Sequence, residues 1–298
     1  GALAAHAARG VEIRLVTATS GEEGEIRQDG AATRETLGSI RRVELSCAVQ
    51  ALGLASHRVL GYRDSGMAGS EANDYPNAYI NVPDEEMVEQ LVEEIRRFRP
   101  QVVLTFESGG LYGHPDHIAI SRQTTEAVRR SADANAFPGQ LAIGLEPYAP
   151  VRLFYSARPQ GFRMEWAQAL RNAGIDFPLP SPERAQEGTP AKEIHLQMEI
   201  DLHLERKMAC ILCHRTQVAA DWPYHRVSRD VARTVLGREY YIQAFLSLCL
   251  LFSIVGAAVW LIYLFAAAAM MVFPYALTVV LGSLAIVAII AWRRSRGH

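Results

Sequence analysis

The 298-residue sequence predicts an α/β fold, a doubly wound parallel sheet with its first strand missing, followed by a C-terminal two-helix transmembrane hairpin. Three observations predict it. Short apolar, β-branched segments alternate with longer helical ones along the first 240 or so residues, the pattern of parallel strands joined by helical crossovers. The segment Gln101-Val-Val-Leu-Thr-Phe106 reads as a buried strand and runs directly into a glycine-rich turn and a helix. From Tyr240 to Trp292 there is no Asp, Glu, Lys or Arg.

In chain order, Gly1-Ala-Leu-Ala-Ala-His6-Ala-Ala-Arg-Gly10 has a helical pattern, and residues 11–19 alternate into a strand. An α/β fold that opens on a helix is expected to be preceded by a strand and loop, which is why the first strand is read as missing. Residues 32–52 read as a helix stopped by Gly53, residues 57–62 as a strand, and Asp84–Phe98 as a helix behind Pro83. Residues 101–106 are the next strand, and residues 118–130 the next helix, with Pro115 suited to its first turn. Residues 151–157 form a further strand. Residues 159–190, rich in Pro, Gly and charge, are expected to form loops around a short helix at 164–173. Residues 194–200 alternate like an added strand and residues 202–214 are helical.

A membrane span takes roughly 20 apolar residues, so the uncharged run suits two spans. They are expected near 244–265 and 272–291, with a tight turn at 266–271. Arg238 before the run and Arg293, Arg294 and Arg296 after it put both ends on the cytoplasmic side. The expectation is therefore a multi-pass membrane protein with its catalytic domain in the cytoplasm and the lipid bilayer as a partner. Residues 1–240 would be one α/β domain, 241–292 the hairpin and 293–298 a basic tail. Charge excludes another class. The chain has 30 Lys and Arg against 32 Asp and Glu, and without the three tail arginines the balance is 27 to 32. With no basic stripe and no aromatic-basic interleaving, nucleic acid is not expected as a partner.

The chemistry concentrates in Gly109-Gly110-Leu111-Tyr112-Gly113-His114-Pro115-Asp116-His117. It lies where a strand ends and a helix begins, the place at which open α/β sheets bind ligands. Histidine is the commonest zinc ligand, and catalytic zinc usually takes three protein ligands and a water. His114 and His117 need not bind together. One division has His117 bind metal while His114 faces substrate as an acid or oxyanion stabiliser, with Asp116 orienting an imidazole through its second nitrogen. The plainer alternative is a helix cap, which needs one polar residue and not this cluster.

Further pieces occur in order: Ala8-Arg-Gly10 with Leu15-Val-Thr-Ala-Thr19; Gly21-Glu-Glu-Gly-Glu25; Arg41-Arg-Val-Glu-Leu45 with Ala51-Leu-Gly53; Gly61-Tyr-Arg-Asp-Ser-Gly-Met67; Arg99-Pro100; and Lys207 to Gln217 with Gly237-Arg-Glu-Tyr240. Together with Gly110 to His117 they resemble the GlcNAc-phosphatidylinositol de-N-acetylase family, also called PIG-L or LmbE-like, across residues 1 to about 242. The resemblance implies a Rossmann-like fold and zinc-dependent removal of acetyl groups from N-acetylglucosaminyl compounds. It implies His117 as a metal ligand, His114 as the acid or electrostatic catalyst with Asp116 in support, and Tyr112 polarising the acetyl carbonyl. Arg41 and Asp64 match substrate-sugar contacts. The family's first motif, His-Pro-Asp-Asp, supplies two more ligands and the base. It is absent here, so an N-terminal truncation is expected, with those two ligands upstream of Gly1.

The expected function is a membrane-anchored zinc (Zn2+) de-N-acetylase of an N-acetylglucosaminyl conjugate, an amino-sugar substrate that the expected spans make a lipid-linked one. Another divalent metal could serve in place of zinc. The alternatives are an inactive, membrane-tethered carbohydrate-binding protein of the same fold and a hydrolase of another N-acyl substrate. Three lesser signals are weighed beside these. Cys210-Ile-Leu-Cys213-His214 matches the c-type haem attachment pattern, but it lies in a helical run where the family has a Lys…His-x-x-Gln element. Four cysteines, one of them Cys249 in an expected span, give no disulfide framework. Gly21 to Glu25 reads as a substrate-side or solvated turn, because its glutamates would repel phosphate.

Overall fold

Strands fall into two sheets in the computed structural model, which describes residues 1–244. In chain order the main elements are α1 (Ala2–Ala7), β1 (Arg14–Thr19), α2 (Leu37–Leu52), β2 (Ser56–Tyr62), α3 (Asp84–Phe98), β3 (Val102–Phe106) and α4 (Pro115–Arg130). They continue with β4 (Arg152–Ala157), α5 (Phe162–Asn172), β5 (Leu196–Glu199), α6 (Leu204–Cys213), α7 (Arg229–Leu236) and β6 (Arg238–Gln243). Strands β1 and β2 pair in parallel. The second sheet has the order β3-β4-β6-β5; β3 and β4 are parallel, whereas β6 runs antiparallel to both β4 and β5. The α/β class stands, and the single parallel sheet is corrected to a parallel pair and a mixed sheet.

Strand β6 also corrects the reading of the tail. The uncharged run that begins at Tyr240 starts inside a strand, with Tyr241 buried and the Ala244 N–H donating to the Leu153 carbonyl at 2.9 Å. The first compact unit accordingly extends to Ala244, past the boundary expected at 240. Among the described residues no helix is long and apolar enough to cross a membrane. That finding overturns the expected multi-pass membrane localisation, and the bilayer as a partner is left without support. The spans expected near 244–265 and 272–291 lie, but for Ala244, outside the described residues.

Helix α3 forms as its sequence dictates. Asp84, Glu85 and Glu86 occupy the first turn and Arg96 and Arg97 the last, complementing the helix dipole at each end. Met87, Val88, Leu91, Val92 and Ile95 recur at three- and four-residue spacing and are buried. Their face packs with Ala119, Ala127 and Val128 of α4 and Leu153 of β4 into the main core. Each of the Val, Leu, Ile and Met side chains contributes about 1.5–3 kcal/mol. A second core joins Ile200 and Leu204 to Ala232, Val235 and Leu236 of α7.

Helix α2 starts at Leu37 and not at residue 32. The Thr36 hydroxyl accepts the Thr33 N–H at 2.8 Å, a side-chain bond that competes with helix extension. Cys47 of α2 and Cys213 of α6 form a disulfide, contrary to the sequence expectation of none, and this pairing removes Cys213 from any haem attachment. Beside it the buried Glu44 carboxylate accepts both the N–H and the hydroxyl of Thr216, at 2.6 and 2.7 Å. The loops after β1, β2 and β3 leave from the C-terminal ends of their strands, and they carry the chemistry.

Candidate active site

The turn after β3 is shaped by its backbone. Gly110, Leu111 and Gly113 all have positive φ, at 65°, 65° and 84°. Leu111 carries a β-carbon, so the left-handed region is costly for it. Gly110 has no such cost, and the room it leaves is used: a β-carbon there would lie 2.9 Å from Cβ of His117. Its carbonyl accepts Nδ1–H of His117 at 3.2 Å. The His117 ring stacks on Phe106 with centroids 4.1 Å apart, and burial lowers its pKa. A neutral ring that donates through Nδ1 leaves Nε2 with a free lone pair, the state of a metal-ligating histidine.

His114 is in the opposite state. It is the N-cap of α4, and its Nδ1 accepts the Asp116 N–H at 3.2 Å, with Pro115 in the first turn. A neutral His114 ring therefore carries its proton on Nε2, which lies 3.7 Å from Oδ1 of Asp64. The two rings are 4.9 Å apart. Tyr112 stands edge-on to both, with centroids 6.1 Å from His114 and 5.1 Å from His117, and burial raises the pKa of its hydroxyl, which stays a donor.

Asp64, His114 and Asp116 each offer one possible ligand atom, and these atoms lie within 4.8 Å of one another. The Asp116 Oδ2 accepts the Ser65 N–H at 3.2 Å, while its buried Oδ1 has no hydrogen-bond partner among the described residues. Burial pushes the Asp116 carboxyl up to about 6. Asp64 is buried too; Oδ1 accepts the Gly66 N–H at 2.9 Å and Oδ2 the Glu23 N–H at 3.2 Å. Carboxylate oxygens, one of them orphaned, and imidazole nitrogens are the donor types that fit a divalent metal taking N and O ligands. Which nitrogen would serve is decided by the tautomers: that of His117 is free and that of His114 is protonated.

Arg41 approaches through the loop after β1. It donates to the Gly21 carbonyl at 2.6 Å and the Glu25 carbonyl at 3.0 Å, and a β-carbon on Gly24 would lie 2.1 Å from its Nη1. The structure thus brings Asp64, Tyr112, His114, Asp116 and His117 together, while Arg41 is committed to the Gly21–Glu25 backbone. A cavity of about 1350 Å³ opens beside Tyr112, Glu107, Tyr155 and Arg163; His114, Asp116 and His117 do not line it.

Two contributors escape a reading of the sequence. Ser65 is fully buried and accepts the Ile80 N–H through Oγ at 3.0 Å while its own N–H holds Asp116. Glu107 accepts the N–H groups of Gly109 and Leu111 on its two carboxylate oxygens, at 2.5 and 2.6 Å. For Glu107 the available signal was an acidic residue directly before a glycine-rich turn.

Residues 1–128 match the family model described as PIG-L, GlcNAc-PI de-N-acetylase. The 1D-myo-inositol 2-acetamido-2-deoxy-alpha-D-glucopyranoside deacetylases of Acidothermus cellulolyticus and Thermobispora bispora are 37% and 35% identical, over 252 and 249 residues. The match covers 80% of this chain and 81% and 80% of theirs, respectively. Among solved structures, N,N'-diacetylchitobiose deacetylase from Pyrococcus horikoshii has a TM-score of 0.57 at 20% identity, over 82% of this chain and 76% of that one. The 4-carboxy-2-hydroxymuconate hydratase of Pseudomonas putida has 0.53 at 20%, over 83% and 89%. These two establish the fold alone, and a hydratase among them shows that the fold does not dictate the reaction. The curated relatives are named for a GlcNAc–inositol and not for a phosphatidylinositol lipid, and the expectation of an N-terminal truncation has no support in these comparisons. Identity above one third across four fifths of the chain decides the matter: the chain belongs to the PIG-L family and is an enzyme, a de-N-acetylase that hydrolyses an amide bond.

Proposed function

We propose that the chain is a zinc-dependent de-N-acetylase of a GlcNAc–inositol conjugate, of the kind its curated relatives are named for. The observation that carries this reading is the pair of oppositely disposed imidazoles, His117 with Nε2 free and His114 with Nε2 protonated, 4.9 Å apart. His117 would hold the metal. Bound there, zinc supplies Lewis acidity toward the attacking water and the acetyl oxygen.

The chain's own residues supply the groups that stabilise charge at the acetyl oxygen. The Nε2–H of His114 donates to the oxygen of the acetyl group as it gains negative charge, and the Tyr112 hydroxyl is a second donor on the same face. Asp116 supports His114, since its backbone N–H fixes the ring at Nδ1 and its carboxylate is anchored on Ser65. Water adds to the acetyl carbon, the C–N bond breaks as one of the water's protons passes to the nitrogen, and acetate and the free amine of the sugar leave. Asp64 and Arg41 are the sugar contacts in this reading; Arg41 reaches the substrate through the loop it holds. The relatives' names favour an acetyl group over another acyl group, and a lipid-linked conjugate has no support among them.

The test is acetate release from GlcNAc–inositol together with metal content. His117→Ala is expected to lose both, and His114→Ala to keep the metal while kcat falls about 10²–10³-fold. A His117→Ala protein that retains its metal would refute the assignment.

A further inference from the structure

Glu107 does something for the site that neither the family motif nor its neighbours explain. Its carbonyl accepts the Gly110 N–H at 2.9 Å, and its carboxylate accepts the N–H groups of Gly109 and Leu111. One residue thus makes three bonds to a turn in which Leu111, a residue with a β-carbon, is held at φ 65°. Left to itself, leucine avoids that region, and strained backbone of this kind persists only where its surroundings impose it. The turn so held directs the Gly110 carbonyl at Nδ1 of His117 and carries Tyr112 to the edges of both imidazoles.

We propose that Glu107 is a positioning residue for the reaction: by clamping the Gly109 and Leu111 amides it aims the Gly110 carbonyl, and so fixes His117 as the Nδ1–H tautomer with Nε2 free. The inference rests on His117 having the role given above. Glu107 touches no reacting atom in this account. It acts through the backbone of the turn, and the φ of Leu111 is the intermediate it controls. This makes a specific compensation expected. Glycine takes φ 65° without a β-carbon cost, so Leu111→Gly should restore much of what is lost when Glu107 is removed.

The experiment records long-range 1H–15N spectra of the histidine rings in the metal-free chain, with His117→Gln identifying the His117 signals. The parent is expected to show the Nδ1–H pattern for His117, Glu107→Ala a mixed or Nε2–H pattern, and Glu107→Ala/Leu111→Gly the parental one. In parallel, acetate release from GlcNAc–inositol should show kcat lowered about 10–100-fold by Glu107→Ala, with KM nearly unchanged, and largely recovered in the double variant. Glu107→Gln keeps one acceptor and gives the same readout, half as large, should the alanine variant not fold. An unchanged His117 tautomer in Glu107→Ala, or no recovery on adding Leu111→Gly, would overturn the proposal. A parent chain that releases no acetate would count against the deacetylase reading alone, because the ring spectra still decide the role of Glu107.

Discussion

Two glycine-bearing loops flank the site, and they are held by opposite charges. The loop after β1 is gathered by cations: Arg41 binds the carbonyls of Gly21 and Glu25, and Arg34 binds those of Glu22 and Gly24. The turn after β3 is gathered by an anion, with Glu107 binding the amides of Gly109 and Leu111. The consequence follows from what each clamp leaves over. Arginines consume carbonyls, so the first loop offers amides and side chains; the Glu23 N–H reaches Asp64, and the Glu22 carboxylate accepts the Asp64 N–H. A carboxylate consumes amides, so the second turn keeps the Gly110 carbonyl to orient His117. One loop stabilises a carboxylate and the other sets an imidazole tautomer, from similar glycine-rich stretches.

The contrast can be broken from either side. The largest effect is expected at the second turn, where His114→Ala should lower kcat about 10²–10³-fold, far more than the loss of its cap on α4, about 0.5–2 kcal/mol in urea denaturation, would explain. Next comes the support beneath the first loop. The Thr216 carbonyl accepts the Arg27 N–H at 2.8 Å, and the Cys47–Cys213 disulfide lies beside it, closing a loop across 166 positions. Replacing both cysteines by alanine should cost about 2–4 kcal/mol in urea denaturation of the oxidised protein. Activity should fall less than stability if the two loops are separately supported. Gly24→Ala forces a β-carbon onto Arg41 and should cost about 1–3 kcal/mol, with KM rising more than kcat falls.

The smallest effect is a pH slope. Burial lowers the pKa of His214, at the end of α6, so its ring is neutral in the fold. The unfolded chain takes up a proton below about 6.5, so this contribution to stability is complete above that pH and is lost as pH falls toward the lower folded value. His214→Asn should flatten urea stability over that window by at most about 1.4 kcal/mol per pH unit. An identical slope in both proteins would show that His214 is not the group responsible.

Much of this was legible in the residues themselves. Helix α3 begins and ends where Pro83, its acidic first turn and its basic last turn say it should. The site motif was visible as two imidazoles and a carboxylate at a strand-to-helix junction, and the structure brings Asp64 to it from the loop after β2. What stayed hidden depends on partners distant in sequence or on backbone conformation. Strand β6, Arg238-Glu-Tyr-Tyr-Ile-Gln243, mixes polar and apolar residues as an antiparallel strand does, and its uncharged end merged with the apolar run that follows. The pairing of Cys47 with Cys213 cannot be read from spacing. Nothing in a leucine announces φ 65°, so the turn at Leu111 and its clamp by Glu107 came only with the structure. Arg41 was expected at the sugar, and its bonds to Gly21 and Glu25 show that a side chain in a matched position is also engaged in holding its loop.

The central claim is that the two imidazoles are not interchangeable, and metal affinity tests it most directly. Zinc would be titrated into the parent chain, His114→Ala and His117→Ala in competition with a chromophoric chelator. The account predicts that His114→Ala binds as the parent does and that His117→Ala does not. Loss of binding in His114→Ala with retention in His117→Ala would move the cation to the Asp64, His114 and Asp116 cluster and contradict the account.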